Sequence, residues 1–419
     1  MPIRKWSAEI TYLILTLISS LCFGVVFIAN TLYYVVVVKL SPLELVLVGT
    51  ALEAAIFLFE VPTGIVADVI SRRLSVMIGY GLIGCGFLLE GLVPNFAAII
   101  AAAVIWGVGY TFTSGATQAW LSDEIGEAPA NALMLSVGVT QRKAALLVIP
   151  LGVLLAFSSL QVPIVVGGLG FLLLTLFLAL TMPETNFQPH PHARQGLLKG
   201  LQSTLLEALR FTRDNPHVRG VLAVTIIFGA ASESFDRLWQ LHLISFGVPR
   251  FETILGIAKP SETQSLLLSF AAIDLLVTLV SLPFARLAAR VNASDGPAVA
   301  RSLLLVTTAL SLSLLGFALS PNLTLALVAY IAARVSRGLH GPLSVAWFNQ
   351  RLEPSTRATL LSLNGQADAV GQLAGGPVIG ALGNASLRLA LASGAGILAL
   401  CLPLYSSAAR FKAKVSLAD

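Results

Sequence analysis

The chain has 419 residues, of which 56% are hydrophobic and only 11% are charged, and its mean hydropathy is +0.86. Soluble domains carry about 25% charged residues, so this composition excludes a water-soluble globular protein and a disordered or collagen-like chain. A helix needs roughly 20 apolar residues to cross a bilayer, and the unbroken apolar runs here differ from the alternating strands of a transmembrane β-barrel. The composition therefore predicts an all-α integral membrane protein.

Hydropathy predicts twelve membrane-spanning helices, joined by loops too short for a large soluble domain. The first span is too long for the apolar core of a signal peptide, which has about 7–15 residues, so we expect it to stay on the protein. The predicted spans cover residues 10–38, 44–67, 74–92, 96–120, 133–156, 162–182, 218–246, 264–286, 299–319, 322–347, 358–383 and 387–408.

The basic residues sort to one side of these spans. Most of the 26 Lys and Arg residues fall in segments that are cytoplasmic if the N-terminus is cytoplasmic. The positive-inside rule then predicts a multi-pass protein of the cell (inner) membrane with both termini in the cytoplasm, and nucleic acid is not an expected partner. Cys22, Cys85 and Cys401 fall inside spans without a ligand spacing, so the sequence predicts no metal and no cofactor.

A polar stretch over residues 183–217 divides the predicted spans six and six. Pro62 aligns with Pro283 at an offset of 221 residues, and Pro150 aligns with Pro377 at an offset of 227. Because the matches agree in order and nearly in offset, we expect two parallel repeats with the substrate path between them. The expected domains are an N-terminal six-helix bundle over 1–182, a central cytoplasmic loop over 183–217 that could form a short amphipathic helix at 197–213, and a C-terminal six-helix bundle over 218–419.

A short motif follows span 2 at the predicted cytoplasmic turn, and it reads Gly64-Ile-Val-Ala-Asp68-Val-Ile-Ser-Arg72-Arg73. A small residue lets two helices approach, a carboxylate at a helix end can accept from a neighbouring helix N-terminus, and paired arginines anchor the loop at the inner leaflet. The motif resembles the loop 2–3 signature of the major facilitator superfamily. It matches that signature at Gly64, Ala67, Asp68, Arg72 and Arg73, and departs from it at Val66, Val69 and Ser71.

The resemblance implies a major facilitator fold of 12 transmembrane helices in two pseudo-symmetric six-helix bundles, and secondary-active transport by alternating access. It also implies that Asp68 latches span 2 to span 11 near Arg357 and closes the cytoplasmic gate, whereas the simpler alternative is an interfacial charge. Gly376 and Pro377 of span 11 resemble the glycine–proline motif of antiporters, although plain small-residue packing accounts for the same residues. Since catalytic and ATP-binding motifs are absent from the sequence, an enzyme or an ATP-driven pump is not expected.

Carboxylates at bilayer depth are costly, and they are therefore functional candidates. Glu53 and Glu60 share one face of span 2, and Asp274 stands at the repeat position of Glu53. Asp368 lies in span 11, and the repeat brings Arg142 to nearly the same depth in the other half. We expect Glu53, Glu60, Asp274 and Asp368 to be the proton-coupling sites.

Other membrane charges have spacings that suggest pairing. Glu233 and Arg237 are four residues apart and are expected to neutralise each other on one helix, and Arg334 and Arg337 lie one turn apart on another. Static pairs that only fix helix register are the alternative to a transport role. Glu90, at the outer end of span 3, is expected to be interfacial. Asp123 and Glu124 follow span 4 at the inner face and are expected to contact Arg72 or Arg73.

Polar and aromatic side chains of several spans predict a mixed cavity with apolar area and a few polar groups, although each of them could serve only for packing. The substrate-cavity candidates are Asn30, Tyr33, Tyr34, Tyr110, Arg142, Glu233, Asp236, Arg237, Trp239, Gln240, Arg334, Arg337 and Gln366.

The pattern as a whole resembles the bacterial drug/H⁺ antiporter, or multidrug efflux, branch of the superfamily. It implies proton-coupled export of small amphipathic organic compounds or drugs by a monomer whose partners are the substrate, protons and the lipid bilayer. The alternative is a proton-coupled importer, or an exporter of an anionic metabolite that is clamped by Arg142, Arg334 and Arg337.

Overall fold

The computed structural model describes residues 6–189, 212–213, 215–247, 253–254, 257–258, 260–288, 295–350 and 357–410. It gives the backbone alone for 139–147, 253–254, 257–258, 285–288 and 357–359. The amphipathic helix expected at 197–213 lies almost wholly outside the described residues. The side chains of Arg142 and Arg357 also lie outside the part of the chain that the structure describes.

Helices form the first half of the chain, and local sequence explains several of their ends. Ser41 and Glu44 make a reciprocal capping box at the start of the second helix, which satisfies backbone N–H groups that have no partner within the helix. At the start of three other helices, the side chains of Ser7, Ser71 and Asn95 each accept a hydrogen bond from a backbone N–H group. The helices are α1 (Ala8–Tyr33), which continues as a π-helical turn (Tyr34–Val38), α2 (Pro42–Val69), α3 (Arg72–Leu92), α4 (Phe96–Thr113), α5 (Ala116–Ile125), α6 (Glu127–Ala156) and α7 (Gln161–Thr181).

The second half is also helical, apart from one pair of two-residue strands in a predicted loop. β1 (Thr253–Ile254) and β2 (Ile257–Ala258) are antiparallel, with Thr253 opposite Ala258. The helices are α8 (Pro216–Ile244), α9 (Glu262–Ala288), α10 (Gly296–Leu319), α11 (Leu323–Asn349), α12 (Arg357–Ala385), α13 (Leu387–Ala399) and α14 (Cys401–Arg410).

Every predicted span is helical in the structure, but some boundaries differ. Span 4 is divided into α4 and α5 at Gly115, whose φ of 69° interrupts the helix. Gly126 has a φ of 88°, and α6 begins directly after it, six residues earlier than predicted. A positive φ costs glycine little because glycine has no Cβ, so these two residues set both boundaries.

Nine helical stretches of the described chain are long and apolar enough to cross a membrane. The 27-residue α11 and the 29-residue α12 have sufficient length but are not among the nine. Arg334, Arg337 and His340 lower the hydropathy of α11, and Asp368 has the same effect on α12. The 30-residue α6 is also not among the nine, and the side chains of its residues 139–147 lie outside the described part of the chain.

The helices group into two compact units. The first unit comprises Met1–Ser203 together with Pro249–Ala271, and the second comprises Thr204–Val248 together with Ala272–Asp419. The start of α9 thus groups with the first unit. The domain boundaries at residues 182 and 217 stay a prediction.

Glycine contacts and an aromatic core hold the first unit together. Gly84 of α3 and Gly168 of α7 each face the other's carbonyl group, so that neither position has free space for a Cβ. Such contacts let helix backbones approach closely in a membrane. Beside this crossing, the rings of Phe23 and Phe171 lie 4.7 Å apart, and Phe87 packs against both.

In the second unit, α8 and α12 make the closest approach. Gly371 of α12 lies against the Ile226 carbonyl, and Gly375 lies against the backbone of Ala230. Gly371 and Gly375, which are four residues apart, thus allow the close contact of span 11 with α8. This contact fixes the position of Asp368, one turn before Gly371, on the α8 side of α12.

Candidate functional site

The second unit holds an ion pair between α8 and α11. Arg337 Nη2 donates to Asp236 Oδ2 at 2.5 Å, and the two side chains are 29% and 36% exposed. The guanidinium carbon of Arg337 also lies 5.3 Å from the centre of the Phe228 ring, a cation–π distance. Arg337 also borders a small cleft whose other lining side chains are mostly apolar, namely Phe228, Ala231, Ser232, Phe235, Leu310, Leu314 and Leu398.

A second pair joins α9 to α11. Arg334 Nη2 lies 3.8 Å from Asp274 Oδ1, and the two side chains are 38% and 39% exposed. No cation stands near Asp274 on its own helix, and its partner comes from another helix. One turn of α11 thus supplies arginines to two different helices. Arg334 and Arg337, two of the three arginines of the alternative anion clamp, are each engaged by a carboxylate within the protein.

The predicted pair on α8 is present, with Arg237 Nε 3.7 Å from Glu233 Oε2. Glu233 is buried, so the arginine offsets part of the cost of placing its charge in a low dielectric. Trp239 and Gln240, which were cavity candidates on the same helix, are also buried. The ring of Trp239 stacks on Tyr330 of α11 at 4.7 Å, so Trp239 has a clear packing role.

Asp368 has a different kind of partner. Gln372, one turn later on α12, donates from Nε2 to Asp368 Oδ2 at 2.9 Å. Gly229 of α8 lies against the Asp368 carboxyl and carbonyl oxygens and has no room for a Cβ. Gln366, two residues before Asp368, is half-buried. Among the described residues no Lys or Arg lies within 4 Å of the Asp368 carboxyl, which is held by a neutral donor at the α8–α12 contact.

The first unit contains a comparable carboxyl. Ser114, in the break between α4 and α5, donates to Glu60 Oε1 of α2 at 3.2 Å. Tyr110 of α4 is 44% exposed, and both Glu53 and Glu60 interact electrostatically with it. Within the part of the chain that the structure describes, no Lys or Arg lies within 4 Å of Glu60. Glu60 therefore resembles Asp368 in having a neutral hydrogen-bond partner.

The structure gives Asn30, Tyr33 and Tyr34 a role that the cavity prediction missed. Tyr33 and Tyr34 are buried, and Asn30 Nδ2 donates to Glu90 Oε1 at 2.6 Å. Glu90 itself is only 3% exposed, so its carboxyl is enclosed by protein near the outer end of α3, and its interfacial depth stays a prediction. The nearby glycine and proline suggested an interfacial position, but the α1 side chains enclose the carboxyl within the unit.

The signature motif forms a charge network within the first unit. Arg72 lies 3.8 Å from Asp68 and 3.0 Å from Asp123 at the end of α5, so the expected contact of Asp123 with this loop is confirmed. Ser71 and the backbone N–H of Arg73 donate to the Glu184 carboxylate at 2.6 and 2.9 Å, which caps the start of α3. A Cβ at Gly64 would meet no atom within 4 Å, and the latch from Asp68 to span 11 stays a prediction.

The observed partners of Glu124 differ from the predicted ones. We expected a contact with the arginines of the signature, but its carboxylate accepts from the backbone N–H of Thr185 and of Asn186, at 2.7 and 2.9 Å. Nearby, the Trp120 indole donates to the Pro183 carbonyl at 2.7 Å. The segment after α7 is thus fastened to α5, and it brings Glu184 to the start of α3.

Known proteins resemble this chain over most of its length. The Major Facilitator Superfamily profile matches residues 12–333. A curated relative from Bacillus subtilis (strain 168), described as the uncharacterized MFS-type transporter YxaM, is 23% identical over 340 residues, which are 81% of this chain and 80% of the relative.

Solved structures of transporters share the fold. The nucleoside transporter NupG has a TM-score of 0.72 at 16% identity, covering 97% of this chain and 100% of its own. A POT family transporter in complex with 5-aminolevulinic acid has a TM-score of 0.69 at 10% identity, with coverages of 95% and 94%. A bacterial homolog of the human lysosomal transporter Spinster has a TM-score of 0.66 at 14% identity, with coverages of 96% and 96%. These likenesses confirm the predicted fold class.

Proposed function

The chain belongs to the major facilitator superfamily and is a secondary transporter of that type, and we propose that it exports small amphipathic organic compounds in exchange for inward-moving protons. It is a multi-pass membrane protein and not an enzyme. In this proposal it works as a monomer in the cell membrane, with both termini in the cytoplasm.

The observation that carries proton coupling is the presence of two kinds of membrane carboxyl. Asp236 and Asp274 each face an arginine, whereas Glu60 and Asp368 are held by the neutral donors Ser114 and Gln372. A carboxyl with a neutral partner can gain or lose a proton without breaking an ion pair. We therefore assign proton carriage first to Glu60 and Asp368.

The position of Asp368 suggests how a proton would act on the helices. Its carboxyl lies against α8 at Gly229, where the two backbones touch. A change of charge at this contact alters the electrostatic interaction between α8 and α12 without any change in packing volume. Glu53 and Asp274 are the further candidates, and Asp274 would take up a proton only as its pair with Arg334 opens.

The surroundings of the arginines support an amphipathic substrate that is neutral or cationic. An anionic substrate would have to displace Asp236 from Arg337 or Asp274 from Arg334, whereas a neutral or cationic substrate leaves both ion pairs intact. The exposed ring of Tyr110, with two carboxylates close to it, suits a cationic group. These features favour export of amphipathic compounds over the anion-clamp alternative.

The test is transport into proteoliposomes under imposed pH gradients. The probes are ethidium as a permanently charged amphipathic cation, chloramphenicol as a neutral amphipathic compound, uridine, dialanine and succinate, with protein-free liposomes as the control. An exporter that exchanges protons accumulates ethidium or chloramphenicol when the lumen is acidic. Accumulation of any probe driven by an acidic exterior would overturn the proposed direction, and succinate transport lost in Arg334→Gln or Arg337→Gln would establish the anion clamp instead.

A further inference from the structure

A buried carboxyl in the first unit takes no part in the proposed transport cycle. Glu90, near the end of α3, is 3% exposed, and no Lys or Arg lies within 4 Å of it among the residues that the structure describes. Isolated charges in such surroundings are strongly disfavoured, so a buried acid without a cation needs either hydrogen bonds or a proton.

Side chains of α1 supply the hydrogen bonds. Asn30 Nδ2 donates to Glu90 Oε1 at 2.6 Å and also to the Tyr34 hydroxyl at 3.0 Å, so that Asn30 bridges Tyr34 and the Glu90 carboxyl, and the Tyr34 hydroxyl lies near that carboxyl. The Tyr33 hydroxyl donates to the Glu90 carbonyl at 2.8 Å. Gln161 of α7 lies near the Tyr33 hydroxyl. These tyrosines are thus the titratable groups shown to face Glu90, and α7 contributes a neutral amide.

Tyr34 is also the first residue of an unusual turn at the end of α1. The helix widens into a π-helical turn over Tyr34–Val38, and the N–H groups of Lys39 and Leu40 both bond to the Tyr34 carbonyl. Lys39 has a φ of 59°, the one positive value among the non-glycine residues of the described chain. π-Helical turns occur often at functional sites because they place backbone in a less stable arrangement. Asn30 and Tyr34 therefore connect the carboxyl of Glu90 to the π-helical turn.

We propose that Glu90 is a proton-binding site, and that protonation of Glu90 changes the conformation of the π-helical turn at the end of α1. When the carboxyl is ionised, it accepts from Asn30, which bridges it to Tyr34, and so holds the first residue of the turn. When it is protonated, it is a weaker acceptor and gains an O–H that can donate to the Tyr34 hydroxyl oxygen, so the hydrogen bonds that hold the first residue of the turn weaken and rearrange. The turn lies at the membrane face opposite the signature loop, and it would make that face sensitive to pH. The inference depends on neither the substrate nor the direction of transport.

The first readout is the infrared spectrum of the purified protein, without substrate, as the pH is changed. The carbonyl stretch of a protonated carboxyl should disappear as the pH rises, and Glu90→Gln should lack that component. Glu44→Gln, which alters a carboxyl on the same membrane face, is the control and should keep it. Identical spectra for Glu90→Gln and the unaltered protein at every pH would overturn the proposal.

The second readout is the movement of the turn. In a background that carries Cys22→Ala, Cys85→Ala and Cys401→Ala, a cysteine at Val37 in the turn is alkylated over the same pH range. After correction with a cysteine at exposed Ser158 on the same face, its rate should change several-fold with pH, and this change should vanish with Glu90→Gln. A pH profile equal to that of the Ser158 position would contradict the coupling.

A second variant, which keeps Glu90, tests the proposal even if Glu90→Gln does not fold. Tyr34→Phe removes the hydroxyl and retains the ring, so the infrared component of Glu90 should persist with a different midpoint, while alkylation at position 37 should lose its pH dependence. An unchanged infrared midpoint together with unchanged alkylation would show that Tyr34 does not connect the carboxyl to the turn.

Discussion

Asp368→Asn and Glu60→Gln should each abolish the accumulation of the transported probe in proteoliposomes with an acidic lumen. An amide has nearly the shape of the carboxyl and can keep its hydrogen bond with Gln372 or Ser114, but it cannot release a proton. The proton gradient then cannot drive accumulation of the substrate. Accumulation should fall at least about tenfold, which corresponds to about 1.4 kcal/mol of lost coupling.

Exchange of labelled for unlabelled probe separates coupling from general damage. Exchange requires the site to reorient with substrate bound but needs no net movement of protons, so both variants should retain it. Glu127→Gln, at an exposed position in the first turn of α6, is the matched control and should accumulate the probe like the unaltered protein. Full accumulation by Asp368→Asn, by Glu60→Gln and by the double variant would show that neither carboxyl carries the coupled proton.

Gly371→Ala should cause a large loss of stability, since it introduces a methyl group at the contact between α8 and α12. The added Cβ would collide with the Ile226 carbonyl, which is backbone and cannot turn away, so the two helices must separate. Overpacking of this kind costs about 1–3 kcal/mol. The measurement is the thermal unfolding midpoint in detergent, together with probe accumulation, because Asp368 lies one turn away.

Gly365→Ala supplies the comparison on the same helix. A Cβ at Gly365 would meet no atom within 4 Å, and alanine is favoured over glycine in a helix by about 1 kcal/mol, so this variant should unfold at the same temperature or higher. Equal midpoints for the two variants would contradict the close approach of α8 and α12 in the native protein.

Features set by local sequence were predicted correctly. Hydropathy located the helical spans, since each needs only its own apolar residues. The pair of Glu233 with Arg237 followed from a spacing of four on one helix. The contact of Arg72 with Asp123 could be expected because Arg72 begins α3 and Asp123 lies near the end of α5, at the same membrane face.

Features set by packing between helices could not be predicted in the same way. The partner of Asp274 is Arg334, sixty positions away, and no periodicity identifies which helix faces another. The burial of Glu90 depends on three side chains of α1 that close over it, although its sequence neighbours suggest a helix end. Hydropathy also did not predict the helix breaks at Gly115 and Gly126, because these breaks depend on the backbone conformation of the two glycines.

Proton movement caused by the substrate tests the central claim most directly. Proteoliposomes that contain a pH-sensitive dye and begin with equal pH on both sides receive ethidium outside, while valinomycin and potassium hold the membrane voltage at zero. Proton exchange predicts that the lumen becomes alkaline as ethidium enters, in the unaltered protein but not in Asp368→Asn or Glu60→Gln. Entry of ethidium with no change in lumen pH, or with acidification, would contradict proton-coupled export.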